Sequence, residues 1–362
     1  MSDYLALALD LAAGGVGQTS PNPMVGAVVV RDGNIVGQGF HTYAGRKHAE
    51  ILAMEEAGGL ARGATLYVSL EPCCHEGRTG PCADAVIAAG IRKVVAAMED
   101  PNPQVCGKGF ERLRAAGIEV VVDGEYTARA RKLNEAFIHF MATRQPFVTL
   151  KSAMTLDGKI AAPIDNDGWI TSERARAHVQ TLRHASDCIL SGIGTVLADD
   201  CLLTDRTGLP RSRPLLRIVL DSQLRLPVES QIVQSVDKDL LVVTTSAASL
   251  ERKAALEAAG VEVCILDGRD GRTDLRGLLD FLGTRSYQSL MIEAGSLVNW
   301  AALDSGIVNR VYFYYAPKIL GGLKSLPVAG GSGRPRRKDA LVLRGISLHP
   351  IPPDEFAVEG YL

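Results

Sequence analysis

Hydrophobic positions along the first 145 residues alternate between helical and strand spacing. Apolar residues recur at helical spacing over Tyr4–Ala13 and are followed by two glycines, which predicts an amphipathic helix with a defined end. Two runs rich in β-branched residues flank Asp32-Gly33-Asn34, an arrangement typical of a β-hairpin. The expected elements are strands at 25–31, 35–40 and 65–70, and helices at 4–13, 48–56, 83–89 and 126–141.

The second part of the chain begins after Arg144-Gln145-Pro146, where proline breaks the helical pattern. A strand runs from Phe147 to the turn Leu156-Asp157-Gly158, and further strands alternate with helical stretches. The expected later strands are 188–190, 215–220, 240–244, 261–266, 289–293 and 310–315. This alternation predicts a largely parallel sheet with helices on both faces. A length of 362 residues suggests two domains, which we place at 1–145 and 146–362.

Composition and charge narrow the possible classes of protein. A hydrophobic content of 46% suffices for packed cores, and a net charge of −2 does not favour general nucleic-acid binding. The N-terminal segment lacks the basic and apolar stretches of a signal peptide, and no apolar run reaches the roughly 20 residues of a membrane helix. Seven cysteines, three of them close together, indicate a reducing cytoplasm rather than a disulfide framework.

One imidazole, two thiols and a carboxylate stand in the pattern of a catalytic zinc centre. Glu50 follows His48 by two positions, and a proline precedes both Cys73 and Cys82. Catalytic zinc takes three protein ligands and keeps one position for water, whose pKa it lowers from about 15.7 to roughly 7. We therefore predict one zinc ion per chain, bound by His48, Cys73 and Cys82. Glu50 is then free to act as the catalytic acid–base that moves protons.

A structural zinc site is the alternative interpretation of the same residues. It would need a fourth protein ligand, which Cys74 or His75 could supply. That interpretation does not account for the glutamate after His48 or for the prolines before the thiols. The pattern therefore favours catalysis and leaves Cys74 without an assigned role.

His-x-Glu followed by Pro-Cys and a second Cys is the pattern of zinc-dependent base deaminases, but the spacing between the two cysteines is unusual here. Cys82 follows Cys73 by nine positions, whereas base deaminases usually carry C-x-x-C. Four motifs resemble the pyrimidine deaminase family of riboflavin biosynthesis, namely TSPNPMVG at 19–26, HAE at 48–50, EPCCHEGRTGPC at 71–82 and DPNP at 100–103. The resemblance implies a cytidine-deaminase-like α/β/α domain. It also implies hydrolytic loss of the ring 2-amino group of 2,5-diamino-6-(5-phosphoribosylamino)pyrimidin-4-one.

The same resemblance implies substrate contacts in this domain. Asn22 and His41 match family positions that contact the substrate. His75 and Arg78 lie in the longer loop, where a donor and a cation can hold the ribose phosphate, although Arg78 could also be an exposed loop charge. Asp100 and Asn102 either orient the sugar or shape a proline-rich turn, and the sequence does not decide between these roles.

Five segments of the second half resemble the reductase domain of the same pathway, which is similar to dihydrofolate reductase and uses NADPH. They are residues 151–161, 169–172, 194–200, 219–222 and 293–295. The combined resemblance covers almost the whole chain and indicates the bifunctional deaminase–reductase family of riboflavin biosynthesis. It implies a dihydrofolate-reductase-like α/β domain that reduces the ribosyl side chain to ribityl, giving 5-amino-6-(5-phosphoribitylamino)uracil.

Position in the family pattern implies the contacts of this second domain. The cofactor contacts are Ala153, Trp169, Thr195, Asp199, Ser222, Gly295, Ser296 and Leu297. The substrate contacts are Asp167, Arg183, Leu203, Arg206 and Glu293. Backbone amides at a helix start near 295–297 suit a phosphate. Lys151 and Asp157 could serve the site or the fold, and NADPH rather than NADH rests on the resemblance alone.

Two other classes of function stay open on the sequence. One is a monofunctional nucleoside or tRNA deaminase with an inactive companion domain, and the other is a zinc-stabilised nucleotide-binding module without catalysis. The long metal loop and the reductase-like half argue against the first, and the free Glu50 argues against the second. We expect a cytoplasmic homo-oligomer that acts on a small molecule, without nucleic-acid or membrane partners.

Overall fold

The computed structural model describes residues 3–42, 46–74, 80–102, 105–164 and 167–362. The chain divides into two compact units, each built around its own sheet. Unit 1 comprises Met1–Arg144 and the short segment Pro210–Arg213, and unit 2 comprises Gln145–Leu209 and Pro214–Leu362. Nothing in the hydrophobic pattern indicated that residues 210–213 belong with unit 1. Within the described ranges, no helix is long and apolar enough to cross a membrane.

Unit 1 contains a mixed five-stranded sheet with the order β2-β1-β3-β4-β5. Its strands are β1 Gly26–Arg31, β2 Asn34–Phe40, β3 Thr65–Val68, β4 Lys93–Ala96 and β5 Glu119–Val122. Strand β1 is antiparallel to both β2 and β3, whereas β3, β4 and β5 run parallel. The predicted hairpin is confirmed, because Arg31 pairs with Asn34. The turn residues Asp32 and Gly33 have positive φ angles of 51° and 79°, as the favoured tight hairpin turn requires.

Helices cover both faces of this sheet. They are α1 Tyr4–Ala13, α2 Ala49–Ala57, α3 Cys82–Ala89, α4 Lys108–Ala115, α5 Thr127–Leu133 and α6 Glu135–Thr143. Two glycines of the hairpin let α1 and α2 approach the strands closely. A Cβ at Gly26 would lie 2.1 Å from the Ala8 carbonyl oxygen, and one at Gly37 would lie 2.1 Å from that of Ala53. The expected α/β/α layering is therefore confirmed.

The single helix predicted over 126–141 is wrong. The structure has two helices, α5 and α6, which meet at Asn134 with φ −104° and ψ 22°. The Asn134 side chain is buried, accepts a hydrogen bond from the Met24 amide at 2.8 Å and donates one to the Met24 carbonyl at 2.9 Å. This tertiary contact fixes a kink that helical periodicity does not reveal.

Unit 2 contains a nine-stranded sheet with the order β11-β10-β9-β8-β12-β6-β13-β16-β15. The strands of unit 2 are β6 Phe147–Thr155, β7 Lys159–Ala161, β8 Cys188–Gly192, β9 Leu216–Leu220, β10 Leu240–Thr244, β11 Glu262–Ile265, β12 Ser289–Ile292, β13 Arg310–Ala316, β14 Leu326–Pro327, β15 Arg344–Ile351 and β16 Glu355–Tyr361. Strands β7 and β14 form a separate pair. From β11 to β13 the large sheet is parallel, as predicted.

Strands β15 and β16 form an antiparallel edge that the sequence pattern did not predict. Prolines at 350, 352 and 353 interrupt this region, and proline argues against a strand in sequence-based reasoning. The helices of unit 2 are α7 Glu173–His184, α8 Ile193–Asp199, α9 Gln231–Gln234, α10 Leu250–Ala258, α11 Leu275–Thr284 and α12 Ser296–Asp304. They bury two separate apolar clusters against the sheet, which confirms helices on both faces.

Candidate active sites

The ends of two helices bring the predicted zinc ligands together in unit 1. His48 precedes the first turn of α2, and Cys82 is the first residue of α3. His48 Nδ1 lies 3.1 Å from Cys82 Sγ and 3.6 Å from Cys73 Sγ. Among the described residues, these three form a group whose potential ligand atoms all lie within 4.8 Å of one another, and Cys74 is not part of it.

The electrostatic surroundings of Cys73 favour a thiolate. Hydrogen bonding from the Cys82 thiol, with further bonds from His48 and from the Cys82 amide at 3.4 Å, lowers the pKa of Cys73 well below its ordinary value. Thiolate and imidazole are the donors that zinc prefers. The geometry and the chemistry of this donor set therefore fit a zinc ion with three protein ligands.

Glu50 lies in the first turn of α2 and is only 3% exposed. Burial, together with the charge of Cys73, raises the pKa of this carboxyl to about 7. Its Oε2 atom has no hydrogen-bond partner within the described part of the chain. A buried carboxyl oxygen without a partner is costly, so this atom is available to bind a ligand or a proton at the site.

Asn22 and His41 lie beside the same group. The Asn22 amide nitrogen is 3.0 Å from His41 Nε2, and His41 Nδ1 is 3.2 Å from the Lys47 carbonyl oxygen. The His41 and His48 rings meet edge to face at 5.2 Å. Burial lowers the pKa of His41, which favours a neutral imidazole that accepts from Asn22. The other two predicted contacts, His75 and Arg78, lie outside the described residues.

Glu71 is a buried residue of this site to which we had assigned no role. Its two carboxylate oxygens accept hydrogen bonds from four backbone amides at 2.9–3.2 Å, those of Asp100, Gly107, Gly109 and Phe110. It therefore ties the segment around 100–110 to the strand end that carries Cys73. Its place directly before Pro72-Cys73 was the available signal. Asp100 accepts a hydrogen bond from the Asn102 amide at 2.8 Å, a local contact within the DPNP motif.

In unit 2, three charged side chains meet, one from the middle of β6, one just after β12 and one from α7. Lys151 Nζ lies 2.8 Å from Glu293 Oε1, and Arg183 Nε lies 3.0 Å from Glu293 Oε2. Burial alone would raise the pKa of Glu293, but the two cations outweigh it and lower this pKa to about 2. The predicted substrate contacts Arg183 and Glu293 are thus brought together, and Lys151 belongs to the same cluster.

Two other predicted substrate contacts lie on the loop that follows α8. Leu203 is buried and has a positive φ of 54°, which reverses the chain locally. Arg206 is exposed, and its backbone amide is held by Gln180 of α7 at 2.9 Å. Arg183 connects this loop with the charged cluster, because it also donates to the Thr204 carbonyl at 2.8 Å. Asp167 lies exposed in the segment before α7.

The predicted cofactor segment forms the start of α12. A Cβ at Gly295 would lie 3.4 Å from Thr195 Oγ1, so the absence of a side chain keeps this approach open. Ser296 is buried, and its hydroxyl has no hydrogen-bond partner among the described residues. Leu297 is exposed at the next position. Free amides at a helix start, an orphaned hydroxyl and a glycine fit the phosphate of a dinucleotide.

The remaining predicted cofactor contacts are spread over several elements. Trp169 is 67% exposed, and the Arg176 guanidinium lies 4.7 Å above its ring. Asp199 ends α8 and is exposed, and Ala153 is partly buried on β6. The Ser222 carbonyl accepts from the Thr245 hydroxyl at 2.9 Å. Ala153 lies on β6, Asp199 on the helix after β8 and Ser222 just after β9, whereas Trp169 lies between β7 and α7.

Asp157, which the sequence left undecided, serves the fold. Its carboxylate accepts hydrogen bonds from the Thr155 hydroxyl at 2.6 Å and from the amides of Leu320 and Gly321 at 3.1 and 2.7 Å. These bonds, chiefly that from Thr155, lower the pKa of Asp157 to about 2. It therefore anchors the 320–321 loop against the turn after β6.

Comparison with known proteins covers both halves of the chain. Residues 1–98 match the family described as cytidine and deoxycytidylate deaminase zinc-binding region, and residues 146–349 match the family described as RibD C-terminal domain. The chain is 44% identical to the riboflavin biosynthesis protein RibD of Actinobacillus pleuropneumoniae, covering 94% of this chain and 90% of that one. Its identity to the Escherichia coli protein of the same name is 43%, covering 90% of each chain.

Solved structures agree with the sequence relatives. RibD of Acinetobacter baumannii superposes with a TM-score of 0.88 at 35% identity, covering 99% of this chain and 97% of that one. A diaminohydroxyphosphoribosylaminopyrimidine deaminase/5-amino-6-(5-phosphoribosylamino)uracil reductase from Thermotoga maritima gives a TM-score of 0.85 at 35% identity, with the same coverage. A match over both halves does not favour the monofunctional alternative. The cofactors are zinc in the deaminase domain and NADPH in the reductase domain. The chain therefore belongs to the RibD family of bifunctional deaminase–reductases of riboflavin biosynthesis.

Proposed function

We propose that residues 1–145 deaminate 2,5-diamino-6-(5-phosphoribosylamino)pyrimidin-4-one and that residues 146–362 reduce the deaminated product with NADPH. The observation that carries this assignment is the group of His48, Cys73 and Cys82 with the buried Glu50 beside it. The Lys151–Glu293–Arg183 cluster provides a second, separate site. The product of the two steps is 5-amino-6-(5-phosphoribitylamino)uracil.

In the deaminase site, we assign zinc binding to His48, Cys73 and Cys82. Zinc, when bound there, makes a water nucleophilic near neutral pH. Glu50 takes the proton of that water and passes protons to the ring nitrogen and to the departing amine. A carboxyl with a pKa of about 7 suits both directions of transfer, since the best acid–base catalysts titrate near the working pH. Asn22 and His41 orient the pyrimidine.

The loop residues His75 and Arg78 complete the proposed deaminase site. We assign them to the phosphate end of the substrate, because a donor and a cation suit that group. The assignment rests on the family pattern of the EPCCHEGRTGPC motif.

In the reductase site, NADPH supplies hydride when bound, and the protein supplies alignment and charge. We assign the cofactor to Ala153, Trp169, Thr195, Asp199, Ser222 and residues 295–297. The substrate then lies against Asp167, Arg183, Leu203, Arg206 and Glu293. Arg206 is an exposed guanidinium on the loop, and guanidinium groups suit phosphate through paired donors, so we assign it to the phosphate end.

We further propose a homo-oligomer that works in the cytoplasm on small molecules, without nucleic-acid or membrane partners. Strand β15 supports self-association, because it is a sheet edge on which Ile346 and Leu348 are exposed. Sedimentation velocity tests this part: a monomer at micromolar concentration would contradict it.

The activity is tested by incubating the zinc-loaded protein with the diaminopyrimidine substrate. We expect ammonia release without NADPH and, after NADPH is added, oxidation of one NADPH per ammonia released. Ammonia release without any NADPH oxidation would contradict the proposed role of unit 2. If neither ammonia release nor NADPH oxidation were observed, His48, Cys73 and Cys82 would instead have a structural or binding role.

A further inference from the structure

One face of helix α7 holds the loop that carries two of the proposed substrate contacts. We call residues 203–207 the substrate loop. Gln180 accepts a hydrogen bond from the Arg206 amide at 2.9 Å, and Arg183 donates to the Thr204 carbonyl at 2.8 Å. Residues three and four positions apart share a helix face, so these side chains and His184 contact the loop from the same side.

A buried pair closes the contact at the C-terminal end of α7. His184 Nδ1 lies 2.8 Å from Asp205 Oδ2, and the two side chains are 5% and 7% exposed. A carboxylate only accepts, so the imidazole places its proton on Nδ1. The other carboxylate oxygen of Asp205 accepts from the Thr207 amide at 3.0 Å and from the Thr207 hydroxyl at 2.8 Å. Asp205 therefore contacts both helix α7, through His184, and the last residue of the substrate loop, Thr207.

The backbone of the loop needs such support. Leu203 has a φ of 54°, a conformation that is unfavourable for a leucine and persists only where the surroundings determine it. The contacts with α7 hold the backbone on both sides of Arg206 while its side chain stays exposed. Arg183 also binds Glu293, so one side chain contacts both the substrate loop and the cluster of Lys151, Arg183 and Glu293.

We propose that His184 and Asp205 are positioning residues that set the affinity of the reductase for the phosphate end of its substrate, acting through Arg206. The proposal rests on the function proposed above, in which Arg206 contacts that phosphate. Because both side chains are buried, they act on the loop backbone and not on the substrate. A merely structural pair would affect all substrates equally, whereas a positioning pair affects the one that carries the phosphate.

The test compares two substrates in Asp205→Ala of the full chain. We supply the reductase with 5-amino-6-(5-phosphoribosylamino)uracil or its dephosphorylated form and follow NADPH oxidation. For the phosphorylated substrate we expect KM to rise between about tenfold and a hundredfold, since small displacements of a positioned group have effects of that size. We expect kcat, and the KM of the dephosphorylated form, to change by less than about twofold, because neither depends on a guanidinium held for phosphate.

Two further variants keep the test decisive. Gln180→Ala removes a single loop contact from a partly exposed helix position, so it yields a folded protein even if Asp205→Ala does not, and it should shift KM in the same direction. His349→Ala is the matched control, because it removes another imidazole–carboxylate pair, that with Glu359 at 3.1 Å on β15–β16. Its KM for the phosphorylated substrate should equal that of the wild type.

Different outcomes would contradict the positioning role of His184 and Asp205 and the proposed function of unit 2. Cooperative unfolding in urea, compared with the wild type, reports in each variant whether unit 2 is folded. Equal losses for both substrates, or a fall in kcat at unchanged KM, would overturn the positioning role. Absence of NADPH oxidation by the wild-type protein would instead contradict the proposed function.

Discussion

Glu50 is the residue on which the deaminase chemistry depends most directly. It is buried, its pKa is raised to about 7, and it lies beside three side chains that suit zinc. We predict that Glu50→Gln lowers kcat for ammonia release by about 10²–10⁴, the usual contribution of a positioned acid–base group. Zinc content by mass spectrometry and NADPH oxidation with supplied reductase substrate should stay unchanged. A variant that retained more than a tenth of the rate would contradict the role given to Glu50.

Glu293 links charge to stability in unit 2. Its pKa falls from an ordinary 4.5 to about 2 because Lys151 and Arg183 outweigh the effect of burial. Because the pKa of Glu293 is lower in the folded than in the unfolded protein, its ionised form stabilises the fold at any pH above the unfolded pKa. This stabilisation is lost as the pH falls from about 5 towards 2. The shift corresponds to at most roughly 3 kcal/mol. Urea unfolding should show the difference between wild type and Glu293→Gln shrinking over that pH range. A difference independent of pH would contradict the ion cluster.

The sequence predicted the site residues that belong to recognisable motifs, but not the role of a residue whose partners are backbone atoms. His48, Cys73 and Cys82 meet as predicted because each occupies a helix start or strand end that the pattern located. Glu71 received no role because its partners are four backbone amides distant in sequence. A backbone partner leaves no residue pattern, so such a contact is visible only in the structure.

The start of helix α4 packs closely against the backbone next to the predicted zinc ligand Cys73. A Cβ at Gly109 would lie 2.1 Å from the Pro72 carbonyl oxygen, next to the ligand Cys73. We predict that Gly109→Ala destabilises the protein by about 1–3 kcal/mol, the usual cost of overpacking, and lowers its zinc content. Gly124→Ala is the control, since nothing lies within 4 Å of its Cβ position. Equal melting temperatures and zinc contents in the two variants would refute this packing.

The sequence located most elements and failed where tertiary contacts decide. Parallel strands of unit 2 were predictable because each is a short apolar run between helical stretches. The kink at Asn134 was not, since it comes from hydrogen bonds to Met24, 110 residues away along the chain. Strands β15 and β16 were missed because prolines in and between them argue against strands, although Pro350 lies in β15, the edge strand, where proline is tolerated.

For the whole molecule, separate hydrophobic cores imply that the two activities can be removed independently. Unit 1 and unit 2 bury different apolar clusters. We predict that a zinc chelator abolishes ammonia release but leaves NADPH oxidation unchanged when 5-amino-6-(5-phosphoribosylamino)uracil is supplied directly. Restored ammonia release on adding zinc is the control. Parallel loss of both activities at the same chelator concentration would contradict independent sites.

Mass spectrometry of the product shows whether one chain carries out both steps on one substrate. The protein is incubated with the diaminopyrimidine substrate and NADPH that carries deuterium at the transferable position. We predict a product in which oxygen replaces the ring amine and one deuterium is bound in a ribityl chain. A deaminated product without deuterium, or a deuterated product that keeps its amine, would contradict the assignment of both steps to this chain.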